Sequence, residues 1–263
     1  MVNNLIIVFV LTMIIHTAET LSYSVRYAGV KINKITVALA LTGIIVLVSR
    51  TANLIQAPMT ATFVDFAKAN PSFDLMHNLR IIILASSVGT LLAIVLFPTF
   101  VNIFVRVISK LEVAGSLPRL ISSVTIGQLK NTKYYLKKPS FKVHQFRYLG
   151  IPKRFLLLNV FVTAFYTIGV LSSLYAAHLL PELSTTASQA SGLINGIATI
   201  ILTIFIDPQL GLITDKALHN EKSKDQLGKI YVLLMVSRFF GTLLAQAFII
   251  PAAYLISMIV KLM

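Results

Sequence analysis

Residues 81–104 read IIILASSVGTLLAIVLFPTFVNIF, a run of 24 residues without one charged side chain. An α-helix rises about 1.5 Å per residue, so this run is long enough to cross the roughly 30 Å hydrocarbon core of a lipid bilayer. Similar apolar stretches cover residues 5–23, 35–55, 155–179, 188–206 and 230–259. The pattern predicts an all-α integral membrane protein in which a bundle of six transmembrane helices forms a single membrane domain, residues 1–263.

The overall composition supports the same fold class. Hydrophobic residues make up 56% of the 263 residues and charged residues only 12%, whereas about 25% of residues are charged in a typical soluble domain. So little charge excludes a soluble enzyme and a disordered tail. The sequence contains no cysteine, which excludes disulfides, thiolate nucleophiles and cysteine metal sites. We expect neither a metal nor another cofactor.

Three segments need separate interpretation. Residues 5–23 follow no basic segment and contain His16 and Glu19, so we expect a retained helix rather than a signal peptide. Residues 58–73 are mixed in polarity and predict a loop or a re-entrant segment. The run DPQLG at residues 207–211 predicts the end of the fifth helix, because proline lacks an amide proton and glycine bends freely.

Basic residues are concentrated in alternate loops. The loops after the first, third and fifth stretches hold 3, 11 and 4 of the 23 lysines and arginines. The positive-inside rule therefore predicts that these loops are cytoplasmic and that both termini lie outside. The longest of them, residues 105–154, contains a single acid, Glu112. We interpret this loop as lying on anionic membrane lipids. Collection of an anionic lipid-linked substrate is the alternative, and no motif supports nucleic-acid binding.

Ionisable side chains inside the predicted spans are the candidate functional residues. Such groups are costly in hydrocarbon and usually face a cavity or the interior of a bundle. In the first span, His16, Glu19 and Arg26 share one helix face at spacings of three and seven residues. The other candidates are Arg50, Asn53, Arg80, Asp207 and Arg238.

Counting residues from the predicted helix ends gives the depth of these groups. Glu19 and Arg238 fall at a similar depth. Arg50 falls in the outer third, Arg26 at the inner boundary and Arg80 at the outer one. One interpretation is a buried Glu19–Arg238 ion pair that only holds the first and sixth helices together. The other is a hydrophilic cleft whose arginines bind a phosphate-bearing anion, since a guanidinium binds phosphate oxygens bidentately and stays charged.

The cleft interpretation gives each candidate a role. The candidate ligands of a diphosphate or headgroup are Arg26, Arg50, Asn53, Arg80 and Arg238. The candidates for coupling or gating are Glu19, His16 and Asp207. Gly192 and Gly196 form a GxxxG spacing, which predicts close helix packing within the chain or in a homodimer. The absence of P-loop, HExxH and GxSxG motifs argues against hydrolysis of a nucleotide or ester.

Three runs of sequence resemble a known family. They are HTAETLSYSVR at residues 16–26, LVSRTANLIQAP at residues 47–58 and DPQLG at residues 207–211. Together with six predicted spans, they resemble the Amj family of alternative lipid II flippases over essentially the whole chain. The resemblance implies a multi-pass protein of the bacterial cell membrane. It also implies that the chain moves lipid II, the undecaprenyl-diphosphate-linked peptidoglycan precursor, from the inner to the outer leaflet, as a backup to the unrelated MurJ-type flippase.

The residues alone leave two other functions open. A membrane-embedded polyprenyl-diphosphate phosphatase would also place arginines near a diphosphate, with His16 and Glu19 as its only acid–base candidates. An ion-coupled transporter of a small anion would use the same cleft without a lipid tail. The partners implied by the resemblance are lipid II and anionic membrane lipids.

Overall fold

The computed structural model is an all-α protein that describes residues 1–116 and 151–263, together with the single positions 119, 122 and 137. Within these residues, six helices are long and apolar enough to cross a membrane. They are α1 Val2–Lys31, α2 Ile35–Ala69, α3 Leu75–Ala114, α4 Lys153–Leu179, α5 Pro181–Leu218 and α6 Glu221–Leu262. The prediction of six apolar helices is confirmed. Most of the predicted central loop, residues 105–154, lies outside the described residues.

Several helices are longer than predicted. The prediction of a loop or re-entrant segment at residues 58–73 is wrong, because α2 continues through Pro58 to Ala69. Phe63 and Val64 are buried against the start of α3, and this packing stabilises the helix beyond its proline. Prolines are tolerated in membrane helices where neighbouring elements support the freed backbone groups. Residues 105–114 likewise belong to α3 rather than to the central loop.

Helix α5 is assembled from short segments. A 3-10 turn, Pro181–Leu183, and two α-helical segments lead to a π-helical turn, Leu202–Ile206, and a final α-helix follows. The predicted helix end at residues 207–211 is therefore wrong. Pro208 stands in the first turn of the final segment, Asp207–Leu218, directly after the π-helical turn. Asp207 consequently lies within α5 rather than at its end.

The helices pack around α1 and α6. Helix α1 packs on α2 and α3, α4 packs on α6, and α5 lies mainly along α4. Apolar side chains form one large core around Val8 and Ile249 and a second around Leu21 and Leu234. On α1, the segment between these two cores contains Glu19, and on α6 the corresponding segment contains Arg238. The bundle therefore has a polar layer between two apolar cores.

A glycine sets the contact between α1 and α3. A Cβ atom added at Gly89 would lie 2.4 Å from the carbonyl oxygen of Met13. The hydroxyl of Thr17 donates to the Gly89 carbonyl oxygen at 3.0 Å. By contrast, no atom of the described residues lies within 4 Å of a Cβ added at Gly192 or Gly196. The prediction that this GxxxG pair packs closely against another helix of the same chain is therefore wrong. Close packing of the pair in a homodimer stays a prediction.

We expect Gly89→Ala to destabilise the bundle by about 1–3 kcal/mol, the usual cost of overpacking. The added methyl group would collide with the α1 backbone, which has no side-chain freedom to move away. Gly43→Ala is the matched control, because a Cβ there meets nothing within 4 Å of the described residues. That change is expected to keep or raise stability by up to about 1 kcal/mol through helix propensity. Thermal unfolding in one detergent compares them, and a wild-type Tm for Gly89→Ala would contradict the close contact.

Candidate functional site at the middle of the bundle

Glu19 joins three helices at the middle of the bundle. Its Oε2 accepts a hydrogen bond from Nη2 of Arg238 at 3.0 Å, and its Oε1 accepts from the hydroxyl of Ser49 at 2.9 Å. The predicted pairing of Glu19 with Arg238 is confirmed. Ser49 is one of the polar residues of the second predicted span, but its hydrogen bond with Glu19 was not predicted. The carboxylate therefore ties α1 to both α2 and α6.

The Glu19–Arg238 ion pair is only partly buried, and not all of its hydrogen-bond donors have partners among the described residues. The Glu19 side chain is 38% exposed and the Arg238 side chain 18% exposed. The Nε atom of Arg238 is buried and has no hydrogen-bond partner among the described residues. A guanidinium has five N–H donors, so Arg238 keeps donors that Glu19 does not use. A second anion can therefore contact this guanidinium and compete with Glu19 for it.

Arg50 lies at the level of the ion pair. It follows Ser49, whose hydroxyl contacts Glu19, and one residue of helix corresponds to about 1.5 Å of rise. The predicted position of Arg50 in the outer third is therefore wrong. The reason is the length of α2, which extends well past the predicted end at residue 55 and leaves Arg50 near its middle. Arg50 is exposed and has no hydrogen bond or ion pair with the described residues.

Two further arginines lie at other levels. We call the end of the bundle where α1, α3 and α5 terminate the basic end, and the end with both chain termini the terminal end. Arg26 is seven residues past Glu19, about 10 Å nearer the basic end, and its buried Nε has no partner among the described residues. Arg80 is exposed and lies nine residues before Gly89, about 14 Å nearer the terminal end. The predicted order of Arg26, Arg238 and Arg80 along the axis agrees with these positions.

Asp207 lies at the same level as Arg50 and Arg238. The hydroxyls of Thr214 in α5 and Tyr231 in α6 are 3.3 Å apart. Asp207 is seven residues from Thr214 and Arg238 is seven residues from Tyr231, both toward the terminal end. Asp207 is exposed and has no hydrogen bond or ion pair with the described residues. Asp207 is therefore an acid without a partner among the described residues, at the same level along the bundle axis as Arg50 and Arg238.

The π-helical turn decides the direction of Asp207. An α-helix turns about 100° per residue, so eight residues from Thr199 would rotate Asp207 about 80° past the line of Thr199. In a π-turn the hydrogen bonds run from i to i+5, and each residue turns the helix through a smaller angle. The turn Leu202–Ile206 therefore brings Asp207 back toward the Thr199 edge. Thr199 points to α4, because its hydroxyl lies 2.7 Å from the hydroxyl of Tyr166.

A second polar feature lies nearer the terminal end. A cavity of about 70 Å³ is bounded by α1, α2, α3 and α4. Its polar lining consists of Thr12, His16, Asn53, Gln56, Tyr166 and Thr167. His16 is only 8% exposed, and its Nδ1 has no partner among the described residues. The structure therefore separates His16 and Asn53, which line this cavity, from the charged residues one or two turns away.

These features define a multi-pass membrane protein with an ion pair between its helices and further charged residues at the same level. The family follows from two comparisons. A model of the Amj family, described as "Alternate to MurJ", matches residues 11–260. The lipid II flippase Amj of Bacillus subtilis (strain 168) is 40% identical over 262 residues, which cover 98% of this chain and 97% of that protein. The chain belongs to the Amj family, and the predicted resemblance is confirmed. No solved structure matches the chain.

Proposed function

We propose that this chain is a lipid II flippase, a transporter that moves undecaprenyl-diphosphate-linked precursor from the inner to the outer leaflet of the bacterial cell membrane. The observation that carries the proposal is the arrangement at the middle of the bundle, where Arg50 and Arg238 share one level and both keep free donors. Family membership supports the same function, since the Bacillus subtilis relative is named as a lipid II flippase.

The arginines lower the energetic cost of moving a charged headgroup through the membrane. An unshielded charge in hydrocarbon costs on the order of tens of kcal/mol, so the diphosphate needs water and positive partners throughout its passage. We infer that a hydrophilic cleft opens between α2 and α5 and that Glu19 and Arg238 line its deepest part. The polyprenyl tail stays in lipid outside this cleft. A diphosphate entering at Arg26 would pass to Arg238 and Arg50 and leave near Arg80.

The acids act as gates in this proposal. Glu19 holds Arg238 until the diphosphate competes for the guanidinium. Asp207 faces the cleft from α5 and pairs with Arg50 when the cleft closes, which shields both charges from lipid. A membrane potential that is negative inside favours outward movement of an anion by about 2.3 kcal/mol per charge per 100 mV. Transport therefore needs no nucleotide hydrolysis.

The orientation and the assembly complete the proposal. The basic end faces the cytoplasm, with both termini outside, because the basic loops lie at that end. The basic central loop, most of which lies outside the described residues, contacts anionic lipids of the inner leaflet. Gly192 and Gly196 lie on an open edge of α5, where a second copy of the chain would pack closely.

Reconstitution tests the proposed function. Purified protein is placed in vesicles that contain lipid II, and the lipid II in the outer leaflet is consumed by an added enzyme that cannot cross the membrane. We expect the protein to expose the inner-leaflet pool, whereas protein-free vesicles keep about half of their lipid II protected. Equal protection with and without the protein would contradict the proposal. Release of inorganic phosphate would instead indicate a phosphatase.

A further inference from the structure

The cavity around His16 has no role in the transfer of the diphosphate itself. It contains no arginine or lysine among its lining residues. The imidazole of His16 is more than nine-tenths buried and lines the cavity with an unpartnered Nδ1. A buried polar atom without a partner costs about 1–3 kcal/mol. An unused hydrogen-bonding atom at that cost points to a ligand that supplies the missing partner.

The lining is suited to a neutral polar group. Two amide side chains, Asn53 and Gln56, stand on consecutive turns of α2, and each offers both donors and an acceptor. Gln56 uses one donor on the hydroxyl of Thr12 at 3.3 Å and keeps its carbonyl oxygen for another partner. Tyr166 adds a phenol at the entrance. Amides, an imidazole and hydroxyls form hydrogen bonds with amide and hydroxyl groups of a ligand, and they offer no countercharge to a phosphate.

The size of the cavity limits the ligand group. At roughly 10–15 Å³ per water by this measure of volume, about 70 Å³ accommodates about five to seven waters. Four non-hydrogen atoms, as in an acetamido group, occupy a similar space. A disaccharide is too large for this cavity. The cavity is also open on one side, since Asn53 and Tyr166 are exposed.

The cavity adjoins the diphosphate site. His16 precedes Glu19 by one turn of α1, about 4.5 Å along the axis, and Asn53 follows Arg50 by one turn of α2. A sugar bonded directly to a diphosphate held by Arg50 therefore reaches the cavity without any change of helix positions. On α1, His16 lies nearer the terminal end than Glu19. On α2, Asn53 lies nearer the terminal end than Arg50. The ligand would thus lie along the bundle axis with its sugar nearer the terminal end.

We propose that this cavity is a sugar subsite, which binds the acetamido group of the aminosugar next to the diphosphate. The proposal rests on the proposed function, because it assigns part of the same lipid-linked substrate. The subsite distinguishes a glycosylated lipid diphosphate from a bare one. His16 and Gln56 contact the acetamido group, and Asn53 closes the entrance over it.

Binding of two lipids tests the subsite. Lipid II and undecaprenyl diphosphate, which has the same tail and diphosphate but no sugar, are titrated into the full-length protein in nanodiscs. We expect the wild-type protein to bind lipid II about tenfold more tightly. His16→Ala and Asn53→Leu are each expected to remove this difference by weakening lipid II alone. Asn53 is exposed, so its variant is expected to fold even if the His16 variant does not.

The controls separate this subsite from the proposed function. Leu54→Ala changes an exposed neighbour of Asn53 that lies outside the cavity lining, and we expect it to bind both lipids as the wild type does. Arg50→Ala is expected to weaken both lipids to the same extent. Equal wild-type affinities for the two lipids, or a parallel loss of both in Asn53→Leu, would overturn the subsite and leave the flippase proposal standing. Failure of the wild-type protein to bind either lipid would overturn both.

Discussion

Arg238→Ala is expected to lower lipid II flipping by about 100-fold or more. The change removes a guanidinium that would form two charge-assisted hydrogen bonds with the diphosphate, each worth about 1.5–3 kcal/mol. It also leaves the Glu19 carboxylate without its cation in the middle of the bundle. Loss of one partner of a buried pair typically costs about 3–5 kcal/mol. We expect a smaller loss of stability, because Glu19 is 38% exposed and keeps the hydroxyl of Ser49. Vesicle flipping assays and thermal unfolding measure the two effects.

A double variant separates the two roles of the ion pair. Glu19→Gln combined with Arg238→Gln removes both charges and keeps side chains that can hydrogen-bond to each other and to Ser49. If the pair served only to hold α1 against α6, this neutral variant would fold and transport normally. We expect it to recover most of the stability lost in Arg238→Ala and still to flip lipid II at the rate of that single variant. Normal flipping by the double variant would show a purely structural pair.

Arg50→Ala is expected to reduce flipping about 100-fold without any loss of stability. Arg50 is exposed and has no hydrogen bond or ion pair with the described residues, so the fold does not depend on its guanidinium. Arg50 lies at the level of Arg238, so its replacement removes half of the positive charge proposed to hold the diphosphate. Flipping in vesicles and the Tm in detergent provide the two measurements.

Two companion variants control for charge at this position. Arg50→Lys keeps the charge and loses the planar fork, so we expect an intermediate rate. Lys261→Ala removes an exposed cation near the end of α6, far along the axis from Arg50, and is expected to leave flipping unchanged. Wild-type flipping in Arg50→Ala would exclude this residue from the transport path. A similar defect in Lys261→Ala would indicate a general effect of net charge.

The spans and the central ion pair were predictable from the sequence for physical reasons. Hydrocarbon requires long apolar helices, so the six stretches stand out from composition alone. Glu19 and Arg238 were predicted at a similar depth by counting residues, and an acid and an arginine at one depth are expected to pair because each charge alone is costly in hydrocarbon. The same count failed for Arg50, since α2 continues past Pro58 and its true end is marked by tertiary packing of Phe63 and Val64.

The position of Asp207 and the cavity at His16 could not be predicted in this way. The proline after Asp207 indicates both a helix end and the first turn of a new helical segment, and sequence spacing does not distinguish them. The π-turn before Asp207 changes the rotation of α5, so an α-helical count assigns the wrong face. The cavity depends on gaps between four helices, which periodicity along one helix does not report.

Water access to the space between α2 and α5 tests the central claim most directly. The chain contains no cysteine, so a single cysteine reports its own position to a charged, membrane-impermeant thiol reagent. Asn53→Cys and Thr203→Cys place thiols toward the proposed cleft, and Leu54→Cys and Ile204→Cys place them on the neighbouring lipid-facing positions. We expect rapid labelling of the first two, slowed by lipid II, and almost none of the second two. Equal labelling within each neighbouring pair, or no protection by lipid II, would contradict a water-filled path for the headgroup.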